Sequence, residues 1–124
     1  MIPAKCMLQS ILMINLLSVR AMAKETVITN SIMKYINSLP RGIAEKVVGN
    51  SNQKGRADIN ACYKGYSIRI EVKTADNGNT ASPIQKLNLM KWKKAGAYTL
   101  VTYTLQEVKD FINYIDHDDI LGRL

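Results

Sequence analysis

Two acidic residues and a lysine in the middle of this 124-residue chain could together carry out chemistry on a phosphate ester. Asp58 opens one alternating segment, and Glu71 and Lys73 close the next. Two neighbouring carboxylates are ligands that Mg²⁺ commonly uses, together with waters and phosphate oxygens of a substrate. Such an ion polarises a phosphodiester and activates water, and a lysine beside it would orient that water and offset developing negative charge. These residue types therefore indicate metal-assisted hydrolysis of a phosphodiester.

A β-hairpin would bring the three side chains together. Residues 58–63 and 66–73 alternate in polarity and are separated by two residues, the second of them a glycine, which is typical of a tight turn. In this register Asp58 faces Glu71, and Lys73 lies on the same face because side chains alternate along a strand. The aliphatic residues of the second strand point to the opposite face, which we expect to be the core side: Ile68, Ile70 and Val72.

The spacing of Asp58 and Glu71-Val72-Lys73 resembles the PD-(D/E)xK signature of restriction-endonuclease-like nucleases. A longer series, spread over roughly residues 24–115, is similar to the VRR-NUC branch of that superfamily. The matching positions are Lys46, Gly55, Arg56, Ala57, Asp58, Ile59, Ile70, Glu71, Val72, Lys73, Ser82, Pro83, Ile84, Gln85, Ala95, Gly96 and Ala97. Ala57 stands where the family usually has proline, a residue that shapes the backbone but supplies no ligand.

The resemblance implies a nuclease that hydrolyses DNA with Mg²⁺ or Mn²⁺, selects branched, flapped or junction DNA, and belongs with domains often carried by phages and mobile elements. A homodimer is one option. The implied metal ligands are Asp58, Glu71, the backbone carbonyl of Val72, and Glu25, and the implied catalytic residues are Asp58, Glu71, Lys73 and Gln85. Gln85 would hold the attacking water or a phosphate oxygen. Glu25 and Gln85 could equally be solvated residues in the first turns of their helices.

The basic character of the chain points to a polyanionic partner. The formal net charge is +7 and the isoelectric point is about 9.5, and nucleic acid is the commonest partner of such a chain. Candidate nucleic-acid-binding residues surround the hairpin and the helix that follows it: Lys46, Lys54, Arg56, Lys86, Lys93 and Lys94. A solvated cationic surface is the alternative for these lysines. Trp92 would either stack on a base or pack within the protein.

Several other classes of site are excluded by composition. His117 is the only histidine, and the two cysteines, Cys6 and Cys62, have no metal-ligand spacing. Histidine-based zinc sites and Ser-His-Asp arrangements are therefore not expected, and we expect two reduced thiols in a cytoplasmic protein. A nucleic-acid-binding module without catalysis is the alternative function. It would explain the charge but not the convergence of Asp58, Glu71 and Lys73.

The segment 1–23 is apolar but mixed, and several interpretations of it stay open. It is too short and too polar for a membrane span. It resembles a signal peptide, which would make the protein exported or membrane-associated. A start assigned too early, with Met22 as the working start, is a second interpretation. A helix that packs on the domain or pairs two subunits is a third. The nuclease-like domain is predicted to occupy residues 24–124.

The remaining pattern predicts an α/β fold with a restriction-endonuclease-like core, in which helices flank a mixed sheet with a central hairpin. A helix over 24–38 has the apolar stripe Val27, Ile28, Ile32, Tyr35, Ile36 and Leu39. A strand over 43–48 and the hairpin follow. Ser82 and Pro83 start a second helix that runs to about Ala95, with Ile84, Leu87, Met90 and also Leu89 facing the core. A buried strand over 98–103 and a helix over 105–115 complete the domain.

Overall fold

The fold is taken from a computed structural model, which describes residues 24–48, 55–74 and 80–122. In chain order its elements are α1 (24–38), β1 (Gly42–Lys46), β2 (Ile59–Tyr63), β3 (Tyr66–Val72), α2 (Pro83–Lys94), β4 (Tyr98–Thr102) and α3 (Leu105–Ile120). The predicted order of elements is therefore confirmed. The interpretations of residues 1–23, and with them the domain boundary at 24, lie outside the described residues.

The four strands form one mixed sheet in the order β1-β2-β3-β4. β1, β2 and β3 are antiparallel to their neighbours, and β4 pairs parallel to β3. A parallel pair needs a long crossover, and α2 lies in that crossover. The predicted mixed sheet with helices around it is confirmed.

The central hairpin has the predicted register. Tyr63 faces Tyr66, and Ile59 faces Ile70. The turn residues Lys64 and Gly65 both have positive φ, 51° and 85°, which is the conformation of a type I′ turn and matches the twist of the two strands. Because β2 begins at Ile59, Asp58 lies one residue before the paired part of the strand.

The hydrophobic core lies between one face of the sheet and the helices α1 and α3. Its buried residues include Ile32, Ile36, Ile59, Ala61, Ile68, Ile70, Val72, Val108, Ile112 and Ile115. The aliphatic face predicted for β3 is thus the core face. The opposite face of the sheet is the polar one, and α2 packs against part of it.

The core face predicted for α2 is wrong except at Leu89. Ile84, Leu87 and Met90 are 51%, 49% and 51% exposed, and within Pro83–Lys94 Leu89 alone is buried. α2 lies over the polar face of the sheet, so the side of the helix that approaches β3 carries Gln85 and Trp92. Apolar spacing therefore gave the wrong face, because the surface beneath this helix is not aliphatic.

Three further differences concern exposure and strand ends. Val27 is 66% exposed, although Ile32 and Ile36 from the same predicted stripe are fully buried. β1 ends two residues before the predicted end, and Val48 is 83% exposed. β4 is only half-buried along its middle, because it is an edge strand of the sheet.

In the part of the chain that the structure describes, we find no helix long and apolar enough to cross a membrane.

α3 continues to Ile120, five residues past the predicted end, and contains the acidic tail. His117 lies within this helix and is exposed. Three aspartates of these last turns bind groups on the hairpin and on β4. Asp116 accepts hydrogen bonds from Tyr63 and Lys64 at 2.9 and 2.7 Å, Asp118 accepts one from Tyr98, and Asp119 accepts one from Tyr66. Tertiary partners, which periodicity does not reveal, extend this helix.

Candidate active site

Asp58 is anchored by backbone groups on both sides of β2. Its carboxylate Oδ2 accepts a hydrogen bond from the backbone N–H of Val72 at 2.7 Å. Its own backbone carbonyl accepts one from the N–H of Val47 at 2.8 Å. The side chain is therefore held beside the end of β3, where the hairpin register predicted it.

Glu71 is buried on the polar face of the sheet, with 1% of the residue exposed. Its Oε1 accepts a hydrogen bond from Gln85 Nε2 at 2.8 Å and lies 3.3 Å from Lys73 Nζ. Among the described residues, none donates a hydrogen bond to its Oε2, which is also buried. Buried polar atoms nearly always have partners, so this oxygen is typical of a site that takes a ligand.

The surroundings of Glu71 disfavour its charge. Burial is the main cause, and the nearby carboxylate of Asp58 adds to it, raising the pKa of Glu71 to about 8. The ammonium of Lys73 acts in the opposite direction. Near neutral pH these surroundings therefore favour the protonated form of Glu71.

Gln85 is positioned by the start of α2. Its side-chain Oε1 accepts from the backbone N–H of Ser82 at 2.9 Å, and its backbone N–H donates to Ser82 Oγ at 3.3 Å, forming a capping box. This arrangement points its amide nitrogen at Glu71. The structure thus brings Gln85 to the site, with both ends of the amide engaged by protein groups.

Glu25 and Lys46 lie near Asp58. They line a cavity of about 170 Å³ with Asp58 and two threonines of α1, Thr26 and Thr29. Burial and the nearby charge of Asp58 raise the pKa of Glu25, and Lys73 lowers it. Over the described ranges 24–48, 55–74 and 80–122, no group of three or more His, Cys, Asp or Glu side chains is arranged to hold a metal ion. Glu25 is therefore beside the carboxylate pair but not within a three-carboxylate ligand set.

The predicted basic residues are spread around this site. Arg56 is exposed beside the site loop, and Lys86, Lys93 and Lys94 are exposed on α2. Lys54 lies outside the described residues. Trp92 is 39% exposed, and the guanidinium of Arg69 lies 3.7 Å from the centre of its ring. Arg69 was not among the predicted binding residues, although its place two residues before Glu71 puts it on the same face of β3.

Solved structures that are similar to this chain include two with VRR_NUC in their descriptions. One, described as "VRR_NUC domain", matches 73% of this chain and 95% of its own length with a TM-score of 0.61 and 21% sequence identity. The chain has the VRR-NUC fold. A second, described as "VRR_NUC domain protein", matches 73% of this chain and 86% of its own length with a TM-score of 0.59 and 19% identity. Comparisons with family sequence models and with curated protein sequences found no match.

The structural likeness confirms the VRR-NUC resemblance at the level of the fold, and the site itself rests on its own geometry. The oxygen donors that the structure brings together here are the carboxylates of Asp58 and Glu71. Oxygen donors suit Mg²⁺ and Mn²⁺, and Mg²⁺ usually takes only one or two carboxylates from the protein. The unpartnered buried oxygen of Glu71 and this donor set fit such an ion on the VRR-NUC fold.

Proposed function

We propose that this protein is a Mg²⁺- or Mn²⁺-dependent nuclease that hydrolyses phosphodiester bonds of DNA as a structure-selective endonuclease. The proposal rests on one observation, the buried carboxylate of Glu71, which has an unpartnered oxygen and lies beside Asp58 and Lys73. The VRR-NUC fold of the two similar structures supports the same class. Selection of branched, flapped or junction DNA and assembly as a homodimer come from the family resemblance.

In this proposal Asp58, Glu71 and the Val72 carbonyl would hold the ion, with Glu25 as a further candidate nearby. When bound, the ion supplies Lewis-acid polarisation of the scissile phosphate and lowers the pKa of water. Lys73 carries its ammonium 3.3 Å from Glu71 Oε1, where it orients the attacking water and offsets the negative charge that develops on the phosphate. Gln85 holds Glu71 in place through its amide N–H.

The test is cleavage of a labelled panel of single strand, duplex, flap, fork and four-way junction DNA, with EDTA, Mg²⁺ or Mn²⁺. We expect cleavage only with metal, and a loss of about 10²-fold or more in Asp58→Asn, Glu71→Gln and Lys73→Met. Asp110→Asn, which removes an exposed carboxylate of α3, is the matched control and should cleave like the wild type.

The outcomes separate the two candidate functions. If the wild type binds the panel tightly and cleaves nothing with either metal, the protein is a non-catalytic nucleic-acid-binding module. If cleavage survives all three site substitutions, the active site lies elsewhere. The substrate that is cut fastest identifies the DNA structure that the enzyme selects.

A further inference from the structure

The described residues cover the polar face of the sheet only in part. α2 lies over β3, with Gln85 at Glu71 and Trp92 at Arg69. Beside α2, the outer surface of β1, β2 and β3 forms an open groove of about 410 Å³. We call it the sheet-face groove; its side chains include Ile43, Glu45, Asn60, Cys62, Ser67 and Arg69.

The sheet-face groove lies on the same face of β3 as Glu71, and Arg69, its lining residue nearest to Glu71 along the strand, is two residues away. Glu71, Arg69 and Ser67 follow one another on the same face of β3 because side chains alternate with a period of two. Successive members of this row are roughly 6.6 Å apart along the strand, which is comparable to the distance between neighbouring phosphates of an extended nucleic-acid strand. Arg69 is therefore about one nucleotide away from Glu71.

Arg69 is held in a fixed orientation at the wall of this groove. Its guanidinium stacks on Trp92, and one of its N–H groups donates to the backbone carbonyl of Ile68 at 3.3 Å. A guanidinium has five N–H donors in a planar fork that matches phosphate geometry. Because stacking restricts the long side chain beforehand, less entropy is lost when it binds an anion.

The charges around Arg69 also favour an anion. Burial and the positive charge of Arg56 lower the pKa of Arg69, and Glu45 on β1 acts in the opposite direction. Arg69 lies on the β3 side of the groove, and the acidic side chain of Glu45 lies on the β1 side. A strand would therefore place its phosphates along β3 and its bases over Asn60, which faces Arg69 in the sheet register.

We propose that Arg69, stacked on Trp92, binds the backbone phosphate next to the scissile one, and that the sheet-face groove carries the DNA strand that leads away from the active site. This inference rests on the proposed function, because it places the scissile phosphate at Glu71. It identifies a residue that binds the substrate and the direction in which the substrate strand runs over the protein. The cluster of Asp58, Glu71 and Lys73 alone defines neither.

The first experiment measures binding in EDTA, where no cleavage is needed. Fluorescence anisotropy of a labelled single strand would give the dissociation constant at several salt concentrations. We expect Arg69→Gln to weaken binding about tenfold and to make the slope of log K against log salt shallower by about 0.7, the value for one phosphate contact on a single strand. Arg69→Lys, which keeps the charge but loses the stacked fork, should fall between Arg69→Gln and the wild type.

The matched control is Lys109→Gln. Lys109 also stacks on an aromatic ring, with its Nζ 5.4 Å from the ring centre of Tyr35, but it belongs to α3 on the other side of the sheet. The variant Lys109→Gln should leave both the affinity for the single strand and the salt slope unchanged. Circular dichroism of all variants would show that the fold is retained.

The second experiment places the contact. A single neutral methylphosphonate is introduced, in separate substrates, at the phosphate on either side of the cleaved bond, and cleavage is measured with Mg²⁺. One of the two positions should slow cleavage by the wild type about tenfold and have no further effect in Arg69→Gln.

Equal losses in the wild type and in Arg69→Gln at both positions would overturn the inference while leaving the nuclease proposal intact. An unchanged salt slope in Arg69→Gln would do the same. If the wild type cuts no DNA but Arg69→Gln still weakens binding as expected, the nuclease proposal fails and the groove remains a nucleic-acid path.

Discussion

At the scale of single residues, Glu71 is the most unusual group in the described structure. It is fully buried, yet its neighbours are another carboxylate, one lysine and one amide. Burying a carboxylate is costly unless a cation or enough donors compensate it. The protein therefore holds a carboxylate in unfavourable surroundings at this position, which is common at functional sites.

The raised pKa of Glu71 predicts how stability depends on pH in EDTA. The unfolded chain loses the Glu71 proton near its ordinary pKa, 4.5, whereas the folded protein keeps it up to about 8. The folded state thus binds more protons between these values, so the free energy of unfolding falls as the pH rises from 4.5 to 8. Each unit of difference in pKa corresponds to about 1.4 kcal/mol. Glu71→Gln, which cannot ionise, should lose less stability over this range.

Urea unfolding at pH 5 and pH 8 in EDTA would measure this effect. Asp110→Asn is the control and should follow the wild-type pH dependence. The groups that face Glu71 are present in every sample: Asp58, Lys73 and Gln85. Parallel pH profiles for the wild type and Glu71→Gln would mean that the folded protein does not retain this proton.

At the scale of elements, the start of α2 completes the site. The capping box of Ser82 and Gln85 begins the helix and at the same time directs the Gln85 amide to Glu71. Gly55, in the loop before Asp58, approaches the first turn of α2 closely. The loop, the hairpin and the helix therefore converge where the carboxylates lie.

The capping box predicts that two substitutions affect stability alike but cleavage differently. Ser82→Ala and Gln85→Ala each remove part of the cap and should each lower the free energy of unfolding by about 1 kcal/mol. Only Gln85→Ala also removes the N–H that holds Glu71, so we expect it to slow cleavage about tenfold through kcat, with Ser82→Ala close to the wild type. Denaturant unfolding and steady-state cleavage would measure the two effects. Equal cleavage by both variants would limit Gln85 to a helix cap.

The packing of the loop before Asp58 predicts that Gly55→Ala lowers the free energy of unfolding more than Gly65→Ala does. Gly55 and Gly65 both have a φ of +85°, where a side chain is strained. An added Cβ at Gly55 would lie 3.0 Å from Ile84 Cγ1 and 3.1 Å from its carbonyl oxygen, whereas nothing lies within 4 Å of one at Gly65. Gly65→Ala should cost about 1 kcal/mol of unfolding free energy, and Gly55→Ala measurably more. Similar midpoints in urea would show that the loop moves away from α2 without cost.

At the scale of the whole molecule, the two faces of the sheet differ: one packs in the core, and the other carries the candidate site. α1 and α3 cover the aliphatic face and form the core with it. The polar face carries Glu71 and is shared between α2 and the open sheet-face groove. With a formal net charge of +7, the molecule presents a basic surface next to its carboxylate pair, an arrangement suited to a polyanionic substrate.

This charge predicts a strong dependence of DNA binding on salt. The triple variant Lys86→Gln, Lys93→Gln, Lys94→Gln should bind single strands more weakly and with a slope shallower by about 2 in log K against log salt if these lysines contact phosphates. A control that removes three positive charges elsewhere, Lys34→Gln, Arg41→Gln, Lys109→Gln, should lower affinity less at 0.15 M salt, where distant charges are screened. Equal slopes in the two triple variants would assign the α2 lysines to a solvated surface.

Local interactions explain what the sequence determined by itself. The turn at Lys64-Gly65 sets the hairpin register, and that register places Asp58 beside Glu71. Ser82-Pro83 marks the start of α2 through a cap formed with neighbouring residues. The aliphatic row of β3 identifies the core face because strand side chains alternate. Each of these inferences depends only on residues a few positions apart, or on one defined pairing.

The tertiary structure decided everything that depends on where α2 and α3 pack. Ile84, Leu87 and Met90 are exposed because α2 covers a polar face of the sheet, and spacing along a helix contains no information about its partner. The last turns of α3 form because Asp116 meets Tyr63 and Lys64 from a distant part of the chain. Burial of Glu71 and stacking of Arg69 on Trp92 likewise require the helix to lie across β3, since these contacts join residues that neither periodicity nor spacing connects.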